Sequence, residues 1–182
     1  MLSKTEYDDL LSKILIEFPR FKIVKKSNSI FMKLIDSFLR VASLGKTKNF
    51  MTNFVTTIGS TVYVTEDWDI LSSSTKAITL RHERVHMRQS KRLGRFLFSF
   101  LYLFAPVPIL FAYYRTKFEK EAYEESLKAY FEYYGSKFFT PALKENVIHH
   151  FSSSEYLWMW INNRSIEEWY DNVVKEITKE QA

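Results

Sequence analysis

Thr79-Leu80-Arg81-His82-Glu83-Arg84-Val85-His86-Met87-Arg88-Gln89 carries the strongest signal in this 182-residue chain, a His-Glu-x-x-His pattern inside an apolar helical repeat. Each residue turns about 100° around an α-helix, so histidines four apart stand about 40° from each other and both imidazoles can reach one metal ion. Glu83, between them, can reach a water on that metal. Few other short helical motifs require two ligands and a base so close together. The stretch fixes a helix and points to metal-assisted hydrolysis.

With His82 at zero on a helical wheel, Ile78 falls at about 320°, Val85 at 300°, His86 at 40°, Gln89 at 340° and Leu93 at 20°. The histidines therefore share the apolar, inward face. Arg81, Arg84, Arg88, Lys91, Arg92 and Arg95 cluster between roughly 180° and 280°, so the basic stripe points away from the metal.

The expected elements build outward from this helix. Ser3 and Glu6 have capping-box spacing, and Tyr7, Leu10, Leu11, Ile14, Leu15 and Phe18 repeat at helical intervals until Pro19. A short strand is expected over Phe21 to Lys25. Ile30, Phe31, Leu34, Phe38 and Val41 mark a second amphipathic helix ending at Gly45, whose apolar stripe needs a partner. Phe54 to Ile58 and Thr61 to Thr65 are β-branched runs around Gly59-Ser60, a pair suited to a two-residue hairpin turn. Ser72 to Ser74 offer N-caps for the motif helix, which runs toward Leu93, with Gly94 a weak point.

Residues 96 to 114 then read FLFSFLYLFAPVPILFAYY, nineteen residues without a charge, broken by Pro106 and Pro108. Two short apolar arms meeting at a proline corner are expected. A polar helix from about Thr116 to Tyr134 follows. Thr140-Pro141 opens a helix to about Phe151, and Ser165 with Glu168 caps a last one. Its stripe is Ile166, Trp169, Tyr170, Val173, Val174 and Ile177. The fold class expected is α+β, mainly α: a small antiparallel hairpin or sheet packed on the motif helix, with a helical C-terminal half. No repeat or linker divides the chain, so one domain over residues 1–182 is expected.

A catalytic zinc keeps three protein ligands and one open position. The third is sought in Arg115-Thr116-Lys117-Phe118-Glu119-Lys120-Glu121-Ala122-Tyr123. With Glu119 at zero, Tyr123, Leu127, Tyr130 and Tyr134 fall at about 20° to 80°, an aromatic buried face. Glu121 falls at about 200°, beside Glu125, Lys128 and Glu132, a charged solvated face. The wheel favours Glu119, with Glu121 as the alternative.

His82-Glu83-Arg84-Val85-His86 followed by Glu119-Lys120-Glu121-Ala122-Tyr123 resembles the gluzincins, the thermolysin-like metallopeptidases, in which a Glu-x-x-(Ala/Ser)-Asp helix donates the third ligand. The stretch from about Thr56 to Tyr134 is also similar to bacterial and phage proteins described as metallopeptidases. The resemblance implies a zincin-like fold with zinc on His82, His86 and Glu119, Glu83 as general base, and a protein or peptide substrate. Tyr123 stands where those families usually place an aspartate that orients a ligand histidine; a tyrosine hydroxyl makes a weaker version of that hydrogen bond. Zinc lowers the pKa of its water toward about 7, and Glu83 then takes a proton and returns it to the leaving amine. Tyr123, His149, His150 and Tyr156 are the donors considered for the oxyanion. His149 and His150, in the last turn of a helix, are left out of the metal set because that position complements the helix dipole. Thr61 to Thr65 offers a strand edge to which an extended substrate can add.

Composition sets the limits. With no cysteine there is no disulfide framework, thiolate metal site or cysteine nucleophile, so a metal must rest on histidine and carboxylate. Hydrophobic content of 46% and charged content of 26%, with mean hydropathy of -0.22, describe a packed globule rather than an integral membrane protein. The uncharged run of residues 96 to 114 just meets the length of one membrane span. Its prolines and tyrosines favour a core hairpin, with membrane contact through Phe96 to Tyr114 as the second reading. The first residues show no basic start followed by an apolar run, so no signal peptide is expected, and the location expected is cytoplasmic, or membrane- or virion-associated. A net charge of +5 suits ordinary solubility, and the basic stripe lacks interleaved aromatics, so nucleic acid is not an expected partner. The rival to an enzyme is a structural or interaction protein, of a phage particle or membrane complex, that retains a zincin fold without turnover.

Overall fold

The computed structural model describes residues 2–42, 49–103, 110–152 and 163–179. The chain divides into two compact units, Leu2–Lys91 and Arg92–Ala182 with Met1. Gly45, the Pro106 and Pro108 corner and Tyr156 lie outside the described residues.

In the first unit, α1 spans Lys4–Glu17. Ser3 forms the expected capping box: its Oγ accepts from the Glu6 backbone at 3.2 Å, and the Glu6 carboxylate accepts from the Ser3 backbone at 2.8 Å. β1 (Lys22–Lys25), β2 (Thr56–Ile58) and β3 (Thr61–Val64) form one sheet in the order β1-β3-β2. β2 and β3 are the expected antiparallel hairpin, pairing Ile58 with Thr61, and Gly59 takes the positive φ of 63° that its turn needs. β1 lies parallel on the other edge of β3, pairing Lys22 with Thr61 and Lys25 with Val64. The sheet is therefore mixed rather than purely antiparallel. Parallel pairing requires a long crossover, and the chain between β1 and β3 supplies it.

β3 alternates in burial: Val62 and Val64 point into the core while Thr61 and Tyr63 are half-buried. Ile14 and Phe18 at the end of α1, Phe21 and Trp68 join them, and so do Leu80 and Met87 from α4 (Ser73–Leu93). Each fully buried aliphatic of this kind contributes roughly 1.5–3 kcal/mol of transfer free energy. α4 starts where Ser72 Oγ accepts from the Thr75 backbone at 3.1 Å, and stops at Gly94, whose φ of 82° suits a residue without a Cβ.

α2 (Ile30–Ala42) departs from expectation in its orientation. It rests on the 3-10 turn Lys26–Asn28 and the short helix α3 (Phe50–Asn53). The side chains it buries are Met32 and Asp36, while Ile30, Phe31, Leu34, Phe38 and Val41 are all more than half exposed.

In the second unit, α5 (Arg95–Leu103) and the first turns of α6 (Leu110–Tyr134) are the two apolar arms. α6 begins earlier than the expected Thr116, because the arm and the polar helix are one continuous element. No helix among the described residues is long and apolar enough to cross a membrane. α6 ends at Gly135, φ 75°. α7 (Pro141–Ser152) starts at the expected Pro141, and α8 (Asn163–Lys179) packs its stripe Ile166, Tyr170, Val173 and Ile177 on Leu127, Val147 and Phe151. Ser165 lies inside α8 rather than capping it, and Glu168 accepts instead from Arg164 Nε at 3.1 Å.

Glu17, the last residue of α1, clamps the outer side of α4. Its carboxylate accepts from Arg84 Nε at 2.6 Å and from Arg88 Nε and Nη2 at 2.5 and 2.9 Å. The Arg88 hydrogen bond first, with Arg84 beside it, holds the Glu17 carboxyl below its usual range. A carboxyl with a lowered folded pKa contributes stability above its unfolded pKa and loses it as pH falls through the folded one. Glu17→Gln is expected to destabilise the chain by about 1 kcal/mol at pH 7, with the deficit closing below about pH 4. Urea unfolding of both proteins at pH 7 and pH 3 measures this.

Candidate metal centre

His82 and His86 follow one another on α4 one turn apart. Their Nε2 atoms are 3.2 Å apart, with ring centroids at 4.9 Å and planes at 76°. Two ligands about 2.0–2.1 Å from a tetrahedral metal stand roughly 3.3–3.4 Å from each other. The two imidazoles are thus spaced as adjacent ligands of one ion.

His86 is buried and His82 half-buried. His86 Nδ1 lies 2.9 Å from Gln89 Oε1. An amide oxygen only accepts, so the hydrogen sits on Nδ1 and the lone pair of Nε2 faces His82. Gln89, itself buried, therefore holds the ring in the tautomer and orientation a metal needs. The wheel places Gln89 on the histidine face, three residues after His86, yet its role went unread from sequence because a glutamine belongs to no ligand or base motif.

Glu83 is buried between the two histidines in sequence, 6% exposed. A second residue that sequence reasoning missed shares its surroundings. Lys26 is 1% exposed; its Nζ donates to the Phe50 carbonyl at 2.6 Å and lies 3.6 Å from the Phe50 ring centroid. Burial pushes the Lys26 ammonium down to about 8, against the attraction of Glu83 and then Asp36. No sequence signal marks Lys26 out, since it sits in a run with Lys22 and Lys25.

On α6, Glu119 is 3% exposed, whereas Glu121 is half-buried and lies 3.7 Å from Arg92 Nη2. Their burial follows the wheel. Glu119 is thus the buried carboxylate of this stretch of α6, and Glu121 the partly exposed one. Tyr123 packs on Phe151 and His150, at ring centroid distances of 5.2 and 5.8 Å, within the helical core of the second unit. His150 Nδ1 is 2.6 Å from the Asn146 carbonyl, and His149 is exposed.

Comparison with family models, with curated proteins and with solved structures finds no match to this chain. The chemistry of the site therefore rests on its own residues. Gln89→Ala, which removes the acceptor from His86 Nδ1, is expected to weaken divalent metal binding by roughly 10- to 100-fold. Competition with a chromophoric chelator measures the change, and circular dichroism checks that α4 remains helical.

Proposed function

We propose that this chain is a zinc-dependent metallopeptidase of zincin-like fold, in which His82, His86 and Glu119 hold the metal and Glu83 is the general base. The observation that carries the reading is the pair of imidazole nitrogens of His82 and His86, 3.2 Å apart on α4 with buried Glu83 between them in sequence; Glu119 is the buried carboxylate of α6 that would complete the set. The donor set supports zinc: two neutral imidazoles and one carboxylate, with no thiolate available in the chain, suit a catalytic centre with an open fourth position. Zinc at such a centre polarises a carbonyl and lowers the pKa of water.

The remaining work falls to the protein. Gln89 holds the His86 ring with Nε2 toward His82, the nitrogen that would take the metal. Glu83, one residue after His82, takes a proton from water and hands it to the leaving amine, so one carboxylate serves as base and then acid. The partner on this reading is a protein or peptide chain. The strand expected to offer an edge, Thr61–Val64, is instead the central one, paired with β1 on one side and β2 on the other, so an extended substrate would have to add at an outer strand of the sheet.

The purified chain is expected to carry one zinc, measured by plasma mass spectrometry, and His82→Ala, His86→Ala and Glu119→Ala are each expected to lose it. Glu83→Gln is expected to keep the zinc while hydrolysis of an unfolded protein substrate falls by roughly 10²- to 10⁴-fold. A metal-free protein with intact ligands ends the proposal. Zinc retained with no hydrolysis by the unaltered chain leaves the non-catalytic, structural reading instead.

A further inference from the structure

The outward face of α2 is built unlike any other surface helix of the first unit. Ile30, Phe31, Leu34, Phe38 and Val41 are 77, 53, 63, 69 and 78% exposed. With Ile30 at zero they fall within about 100° of arc, along a helix roughly 20 Å long. Contiguous exposed apolar surface of this kind marks a contact site rather than ordinary solvent-facing helix.

The charges around the stripe indicate what covers it. On the same wheel Lys33 and Arg40 fall at about 300° and 280°, along one edge of the apolar arc. The one acidic residue of α2, Asp36, is turned inward, where it accepts from Arg40 Nε at 2.7 Å. The outer half of the helix is thus apolar, with Lys33 on its margin and the half-exposed Arg40, paired with the inward Asp36, beside it, on a chain of net charge +5. A second copy would bring the same cationic margin and net charge against itself. An anionic bilayer surface satisfies both features: acyl chains take the apolar stripe and lipid phosphates take the basic edge.

We propose that α2 is an interfacial helix that docks the chain on anionic membranes, lying in the plane of the surface with Ile30, Phe31, Leu34, Phe38 and Val41 in the headgroup–acyl boundary. This goes beyond the metallopeptidase reading and stands whether or not the metal centre turns over. It rests the membrane contact on α2 rather than on residues 96 to 114.

The test uses the full chain in flotation with phosphatidylcholine vesicles, alone or with about one-third phosphatidylglycerol. Binding is expected to the anionic vesicles, at least about tenfold weaker to phosphatidylcholine alone, and at least about tenfold weaker for Leu34→Glu with Phe38→Glu. Because the chain has no cysteine, Phe38→Cys gives a unique position for an environment-sensitive fluorophore. Its emission is expected to shift to the blue on anionic vesicles, a readout that does not depend on how the double variant folds. The proposal is overturned by no binding to anionic vesicles, by binding that the folded double variant retains, by an unshifted label on bound protein, or by sedimentation showing a dimer that the double variant dissociates.

Discussion

Helix α4 has to satisfy two demands with one face. Leu80 and Met87 must reach the core under β3, and His82, Glu83, His86 and Gln89 must lie on or beside the same inward side. Burying polar groups costs free energy unless each finds a partner. The first unit meets that cost locally. Gln89 accepts from the His86 ring, and the buried Lys26 ammonium supplies positive charge in the surroundings of Glu83. The outer side is fixed by Glu17, which receives both Arg84 and Arg88. The basic stripe on the outer side of the helix is, at those two positions, a clamp onto α1.

What the sequence made legible was local. The capping box at Ser3, the hairpin turn at Gly59 and the helix stop at Gly94 each depend on a few adjacent residues and were read correctly. The burial of Glu119 over Glu121 followed from periodicity alone, because a helix wheel converts spacing into direction without knowing the neighbour. The parallel pairing of β1 on β3 was not legible. Its partners, Lys22 with Thr61 and Lys25 with Val64, are distant in sequence, and four-residue strands carry no register information of their own.

α2 and α6 show a different kind of gap. Periodicity reveals that α2 has an apolar stripe but not which side of the helix the fold will cover, and here it covers Met32 and Asp36. For α6, the change from apolar to polar composition near Thr116 reads as a boundary. The backbone crosses it without a break, because a helix is interrupted by proline or glycine rather than by polarity. Composition told where surfaces change, and hydrogen bonding told where elements end.

Lys26 and Gln89 belong to a class that sequence reading misses for a physical reason. Neither is a ligand, a nucleophile or a base, so no motif contains them. Their roles exist only because a buried charge or a buried ring must be answered by a nearby group. A lysine held in the core, with its ammonium on the Phe50 carbonyl and ring, is kept there against a desolvation penalty that no packing requirement of the α2 and α3 region imposes. Replacing it by an apolar residue of similar volume would relieve that penalty and leave Glu83 and Asp36 without the cation that now attracts them. The Lys26 ammonium thus places positive charge within the attraction of Glu83 and Asp36 where little water reaches.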